Sequence, residues 1–136
     1  KDRVGHFVEP RRVDGVRPAD PEKRAAAVMR LRNVMTTSVG VVRSAKSLRA
    51  ALRALKTLER SCGQDTVLAN MILTARLITA SALQRKESRG GHYRSDFPNS
   101  DPAFAHRTFI TIADLERIEA PWGAPVTEGA VAGCPS

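Results

Sequence analysis

Aromatic residues are scarce in this chain: four Phe, one Tyr and one Trp among 136 residues. That shortage weighs against an aromatic-rich β-sandwich. It leaves the core to Leu, Val, Ile, Met and Ala, which favour packed helices. Cysteine is scarcer still. Cys62 and Cys134 stand alone, outside any CxxC pair or His cluster. Neither a disulfide framework nor a zinc site is expected, and a reducing cytoplasmic setting fits. No run approaches the ~20 consecutive apolar residues of a membrane span, and no signal-peptide pattern opens the chain, so no membrane partner is expected. A P-loop, a metal-ligand spacing and a nucleophile elbow are all missing, so no catalytic, cofactor-binding or metal-binding residue is assigned within this sequence.

What is present is a globular composition, 42% hydrophobic and 26% charged, long enough for one small domain with a real core. The 22 Lys and Arg outnumber the 14 Asp and Glu, giving a net charge of +8. Such a balance raises the prospect of a nucleic-acid partner. The Arg residues, however, are dispersed along helices (Arg24, Arg30, Arg32, Arg43, Arg49, Arg53, Arg60, Arg76), as on a solvated helical surface, so nucleic-acid binding is not favoured. The chain opens on Lys1, and its first residues read as a polar connector, as in a piece of a longer polypeptide.

Asp20-Pro21-Glu22 is a helix start, and Val28, Leu31, Met35 and Val39 follow at helical spacing until Gly40. Ser44 caps a second helix whose stripe is Leu48, Leu52, Leu55 and Leu58, with Gly63 as its stop. Asp65 caps a third, running to about Glu87 and apolar around much of its circumference, which calls for cover on more than one side. Arg107 to Ile112 alternates like a short strand that needs a partner, the Val4–Val8 arm or another domain. The predicted fold is therefore all-α: a three-helix up-down-up bundle, then an ordered loop and one short C-terminal strand. The expected organisation is a linker or arm over 1–19, the bundle over 20–89, the loop and strand packed on it over 90–120, and a flexible tail over 121–136.

The densest polar constellation lies where the third helix runs into Gly90-Gly91: Arg85, Glu87, Arg89, His92, Arg94 and Asp96. Two Arg and a His suit a dicarboxylate or a phosphate, because the guanidinium presents a planar fork to such groups. The alternative, and the favoured one, is structural: Glu87 and Asp96 neutralise Arg89 and Arg94 and pin the loop to its bundle or to a neighbouring domain. Isolated His6 and His106 read as surface or hydrogen-bonded residues, and Met29, Met35 and Met71 as core filler.

Glu87-Ser88-Arg89-Gly90, His92, Arg94, Asp96 and Pro98 fill every fixed position of a pattern, E-S-R-G-x-H-x-R-x-D-x-P. This run resembles the C-terminal signature of the flavoprotein family of succinate dehydrogenase, fumarate reductase and L-aspartate oxidase. The segment Leu31–Arg43 is similar to the same region, and the flanks Gly91–Pro102 resemble the L-aspartate oxidase branch. The resemblance implies a flavoprotein oxidoreductase that turns L-aspartate into iminoaspartate, the first step of NAD (pyridine nucleotide) synthesis. FAD would sit in domains lying before this helical one, and the fragment alone would be inactive. Implied partners are the FAD-binding and capping domains of the same polypeptide, and quinolinate synthase. Glu87, Ser88, Arg89, Gly90, His92, Arg94 and Asp96 would then serve domain docking. The alternatives are a succinate dehydrogenase or fumarate reductase C-terminal domain, a small basic nucleic-acid-binding module, and a stand-alone interaction domain.

Overall fold

The computed structural model describes residues 20–62 and 65–120. Helix α1 (Pro21–Ser38) starts at Asp20, whose carboxylate accepts from the Glu22 and Lys23 amides, with Pro21 at the first helical position. It ends just before Gly40, where a Cβ would lie 2.5 Å from the Thr36 carbonyl oxygen, so only glycine fits that close approach. A two-residue strand β1 (Val42–Arg43) follows. Helix α2 (Ala45–Ser61) starts with Ser44 and Ser47 capping each other reciprocally. Asp65 caps α3 (Thr66–Gln84) by accepting from the Leu68 amide at 3.1 Å. The same carboxylate takes both forks of Arg24 from α1, at 2.6 and 2.9 Å, tying the starts of two helices together. Then come β2 (Tyr93–Arg94), a 3-10 turn (Pro102–Phe104) and α4 (Ile112–Glu119).

The described residues are thus mostly helical, with four helices and one two-stranded parallel sheet in which Val42 faces Tyr93 and Arg43 faces Arg94. The three long helices pack on one another around Leu31, Leu55, Leu58, Leu68, Ile72 and Ala75. Val39, Leu48 and Ala51 fill the end of α1 against α2. Leu52, Ala80 and Leu115 bring α4 onto the other side of the α2–α3 pair.

Four expectations need correction. Met29 and Met71 are exposed rather than core filler, because they lie on the outer sides of α1 and α3. Arg107–Ile112 is not a strand: residues 107–111 have no regular structure, and Ile112 opens α4. Thr111 and Asp114 form a capping box there, and this local hydrogen bonding outweighs the β-type alternation of Phe109, Ile110 and Ile112. The third helix stops at Gln84 rather than near Glu87, because Arg94 takes up the carbonyls at its end. Arg76, assigned to a solvated surface, is buried. Its guanidinium grips both oxygens of buried Glu119 at 3.0 and 2.6 Å and also meets Glu59, joining α2, α3 and α4.

Helix α3 is long and apolar enough, by length and composition, to cross a membrane. Its apolar surface divides in two: Leu68, Ile72, Ala75 and Ala80 are buried, while Val67, Met71 and Ile78 make an outer stripe left 57%, 37% and 52% exposed. The N-terminal arm, the Gly63 stop, Cys134, His6 and the 121–136 tail lie outside the described residues.

Candidate functional site

The motif loop is a tight hairpin. Arg89 and His92 exchange backbone hydrogen bonds at 2.8 and 3.0 Å across Gly90-Gly91. Gly90 has φ +57 and Gly91 does not share that region, the pattern of a type II′ turn that needs glycine first. Ser88 closes the loop behind this turn: its hydroxyl donates to the Phe97 carbonyl at 2.7 Å and accepts from the Arg94 amide at 2.8 Å.

Two carboxylates organise the rest. Glu87 is fully buried and accepts from Arg89 Nε at 3.1 and 3.2 Å, from the Asp101 amide at 3.0 Å and from Arg85. The Arg89 guanidinium above all holds its carboxyl down at about 2. Asp96 takes a bidentate pair from buried Arg94 at 2.8 and 2.7 Å and accepts the Ala45 amide, at the first turn of α2, at 2.9 Å. Arg94 in turn donates to the Ala82, Leu83 and Arg85 carbonyls at the end of α3, at 2.9 to 3.2 Å, and lies over the Phe97 ring. Negative charge therefore meets the positive end of the α2 dipole, and positive charge the negative end of α3, through one ion pair. That pairing with Arg94 also holds Asp96 well below the ordinary carboxylate range.

His92 sits between β1 and the end of α3. Arg43 Nη1 lies 3.2 Å from its Nδ1, and its Nε2 lies 3.4 Å from the Arg85 carbonyl. These contacts assign the Nε2–H tautomer. Burial pushes its pKa below the usual 6.5, helped by the charges of Arg43, Arg94 and Arg85 and opposed by the Arg85 carbonyl. A cleft of about 590 Å³ opens on this side, taking in Arg43, Arg85, Arg89 and His92, with Leu77, Ile78, Ala82 and Ile110 as apolar wall.

Residues 62–127 match the family described as fumarate reductase flavoprotein C-term. Over this stretch the chain is similar to the C-terminal region of that flavoprotein family. Its likeness is to the C-terminal domain of L-aspartate oxidase. The L-aspartate oxidase of Rhodospirillum rubrum is 42% identical over 98 residues, 72% of this chain and 35% of the relative. That of Caulobacter vibrioides is 45% identical over 96 residues, 71% of this chain and 18% of the relative. A fumarate reductase (CoM/CoB) chain of Methanothermobacter marburgensis is 40% identical over 87 residues, 53% of this chain and 16% of the relative. The chain thus spans 35% or less of the length of these relatives. No solved structure matches it.

The loop brings its motif residues together, Glu87, Ser88, Arg89, Gly90, His92, Arg94 and Asp96, and the partners described above all lie within this chain. Toward solvent the loop presents Arg89, Tyr93 and Phe97. Sequence reasoning missed Arg43, which reaches His92 from 49 residues away, and the donation from Arg85 to the Phe104 carbonyl. Nothing local to Arg43 signals that contact, because strand pairing across such a separation leaves no mark in periodicity.

Proposed function

We propose that this chain is the C-terminal helical domain of an FAD-dependent L-aspartate oxidase acting in NAD synthesis, with its three long helices in up-down-up order. The observation that carries this reading is the 42% and 45% identity to L-aspartate oxidases over more than 70% of the chain. In this reading the domain docks onto the FAD-binding and capping domains of the same cytoplasmic polypeptide and has no complete active site of its own, and the product passes to quinolinate synthase. The described residues do not fit a flavin dinucleotide: Gly90-Gly91 close a hairpin after a helix, and the start of α3 is occupied by the Asp65 carboxylate, which repels a pyrophosphate. FAD therefore belongs to the remainder of the polypeptide.

The exposed stripe of Val67, Met71 and Ile78 supports docking, since the matched relatives carry much more chain to cover it. Engagement of Arg24, Arg76, Arg85, Arg89 and Arg94 with carboxylates supports the absence of a nucleic-acid role. The likeness to a fumarate reductase favours one second reading, a succinate or fumarate enzyme.

The test is to purify the native polypeptide that contains this sequence and record its flavin absorbance and its turnover of aspartate and succinate. A yellow protein that oxidises L-aspartate is expected, with the 136-residue chain alone colourless and inactive. Succinate oxidation without aspartate oxidation would favour the second reading, and a colourless native protein of this length would overturn both.

A further inference from the structure

The cleft beside His92 has a charge imbalance that the motif's internal pairing does not remove. Arg43, Arg85 and Arg89 all line it, and Glu87 is the one carboxylate that an ion pair gives to any of them among the described residues, leaving two positive charges over. Arg43 meets the Val39 carbonyl and His92 among the described residues, so its guanidinium has N–H groups left for a ligand. His92 is held neutral by burial and by these same charges, so it adds a hydrogen-bonding edge but no counter-charge. An open cleft of about 590 Å³ lies within the usual range for small-molecule sites, and charges of one sign lining a cleft raise the local concentration of counter-ions. The opposite wall, Leu77, Ile78, Ala82 and Ile110, offers apolar surface to a ligand's carbon body.

We propose that this cleft binds a small organic dianion, a dicarboxylate or a phosphate monoester, with Arg43 and Arg89 as its principal charge partners. Guanidinium forks match both groups, and the excess of two charges favours a dianion over a monoanion.

The test is calorimetric titration of the 136-residue chain with succinate, methyl phosphate and acetate at physiological ionic strength. His92 ring signals would be followed in parallel by NMR. Saturable binding of succinate or methyl phosphate, about tenfold or more tighter than acetate, is expected, together with an upward shift of the His92 pKa. The probe that binds names the source of the dianion. Arg43→Gln should weaken binding about tenfold. Ser81 also lines the cleft and is half-buried, so Ser81→Glu, which places a tethered carboxylate there, should abolish binding while leaving the fold intact, and failure of one variant to fold still leaves the other. Equal affinity for acetate, non-saturable binding, or unchanged affinity in both variants would overturn the proposal.

Discussion

His92 shows how a single ring reads its surroundings. It lies between a guanidinium and a carbonyl, and burial keeps it neutral. A histidine whose pKa is lower folded than unfolded stabilises the fold fully above its ordinary 6.5 and loses that contribution as the pH falls toward the folded value. The melting temperature is therefore expected to start falling just below pH 6.5, well before Glu87 and Asp96 begin to protonate. In His92→Gln that first decline should vanish while the acid decline remains, and identical curves for both proteins would contradict the assignment. The neutral state of His92 was not legible in the sequence. Its neighbours Arg43 and Arg85 come from different elements, and only the fold brings them to it.

At the scale of elements, most helix starts were readable and most junctions were not. Asp20, Ser44 and Asp65 sit directly before their helices and act on amides two or three residues away, so local pattern suffices. The start of α4 is equally local, but Thr111 and Asp114 are flanked by β-branched and aromatic residues whose alternation pointed to a strand. The parallel pairing of β1 with β2, and the capture of Arg76 by Glu119, link residues about 40 to 50 positions apart and leave no periodic trace. Arg76 supplies a test of what holds α4 in place. Arg76→Met takes the bidentate partner from buried Glu119, leaving Lys56 at 3.3 Å as its one remaining cation among the described residues, and is expected to cost up to about 3–5 kcal/mol in urea unfolding. Adding Glu119→Leu should recover much of that loss, with a coupling of about 0.5–3 kcal/mol. Additive losses in the double variant would mean that the pair does not fasten α4.

For the molecule as a whole, the outer face of α3 sets the expectation. Helix α3 looked too apolar for a free surface, and its inner residues are buried while Val67, Met71 and Ile78 remain exposed. If the rest of a flavoprotein covers that stripe, the 136-residue chain on its own should associate with itself as its concentration rises. Met71→Lys with Ile78→Lys should return it to a monomer by sedimentation, with no change in helical content. A wild-type chain that stays monomeric at high concentration would argue that the stripe needs no cover. The mostly helical character and the flavoprotein likeness were visible in the sequence because both rest on local residue types. The division of α3 into inner and outer faces was not, because it depends on where α1, α2 and α4 settle.

The Arg94–Asp96 pair carries a consequence for how the chain is made. It joins the first turn of α2 to the last carbonyls of α3, yet both of its residues follow those helices in the sequence. On a ribosome adding about 5–20 residues per second, α2 and α3 are complete on the order of a second before their fastener emerges. During that interval the two helices hold together through apolar packing, Leu55 and Leu58 against Leu68 and Ile72 and Leu52 against Ala80, and through the Arg76–Glu59 pair. The pair is thus a late-arriving lock. Its loss should show first as faster unfolding, with the rate of initial collapse unchanged.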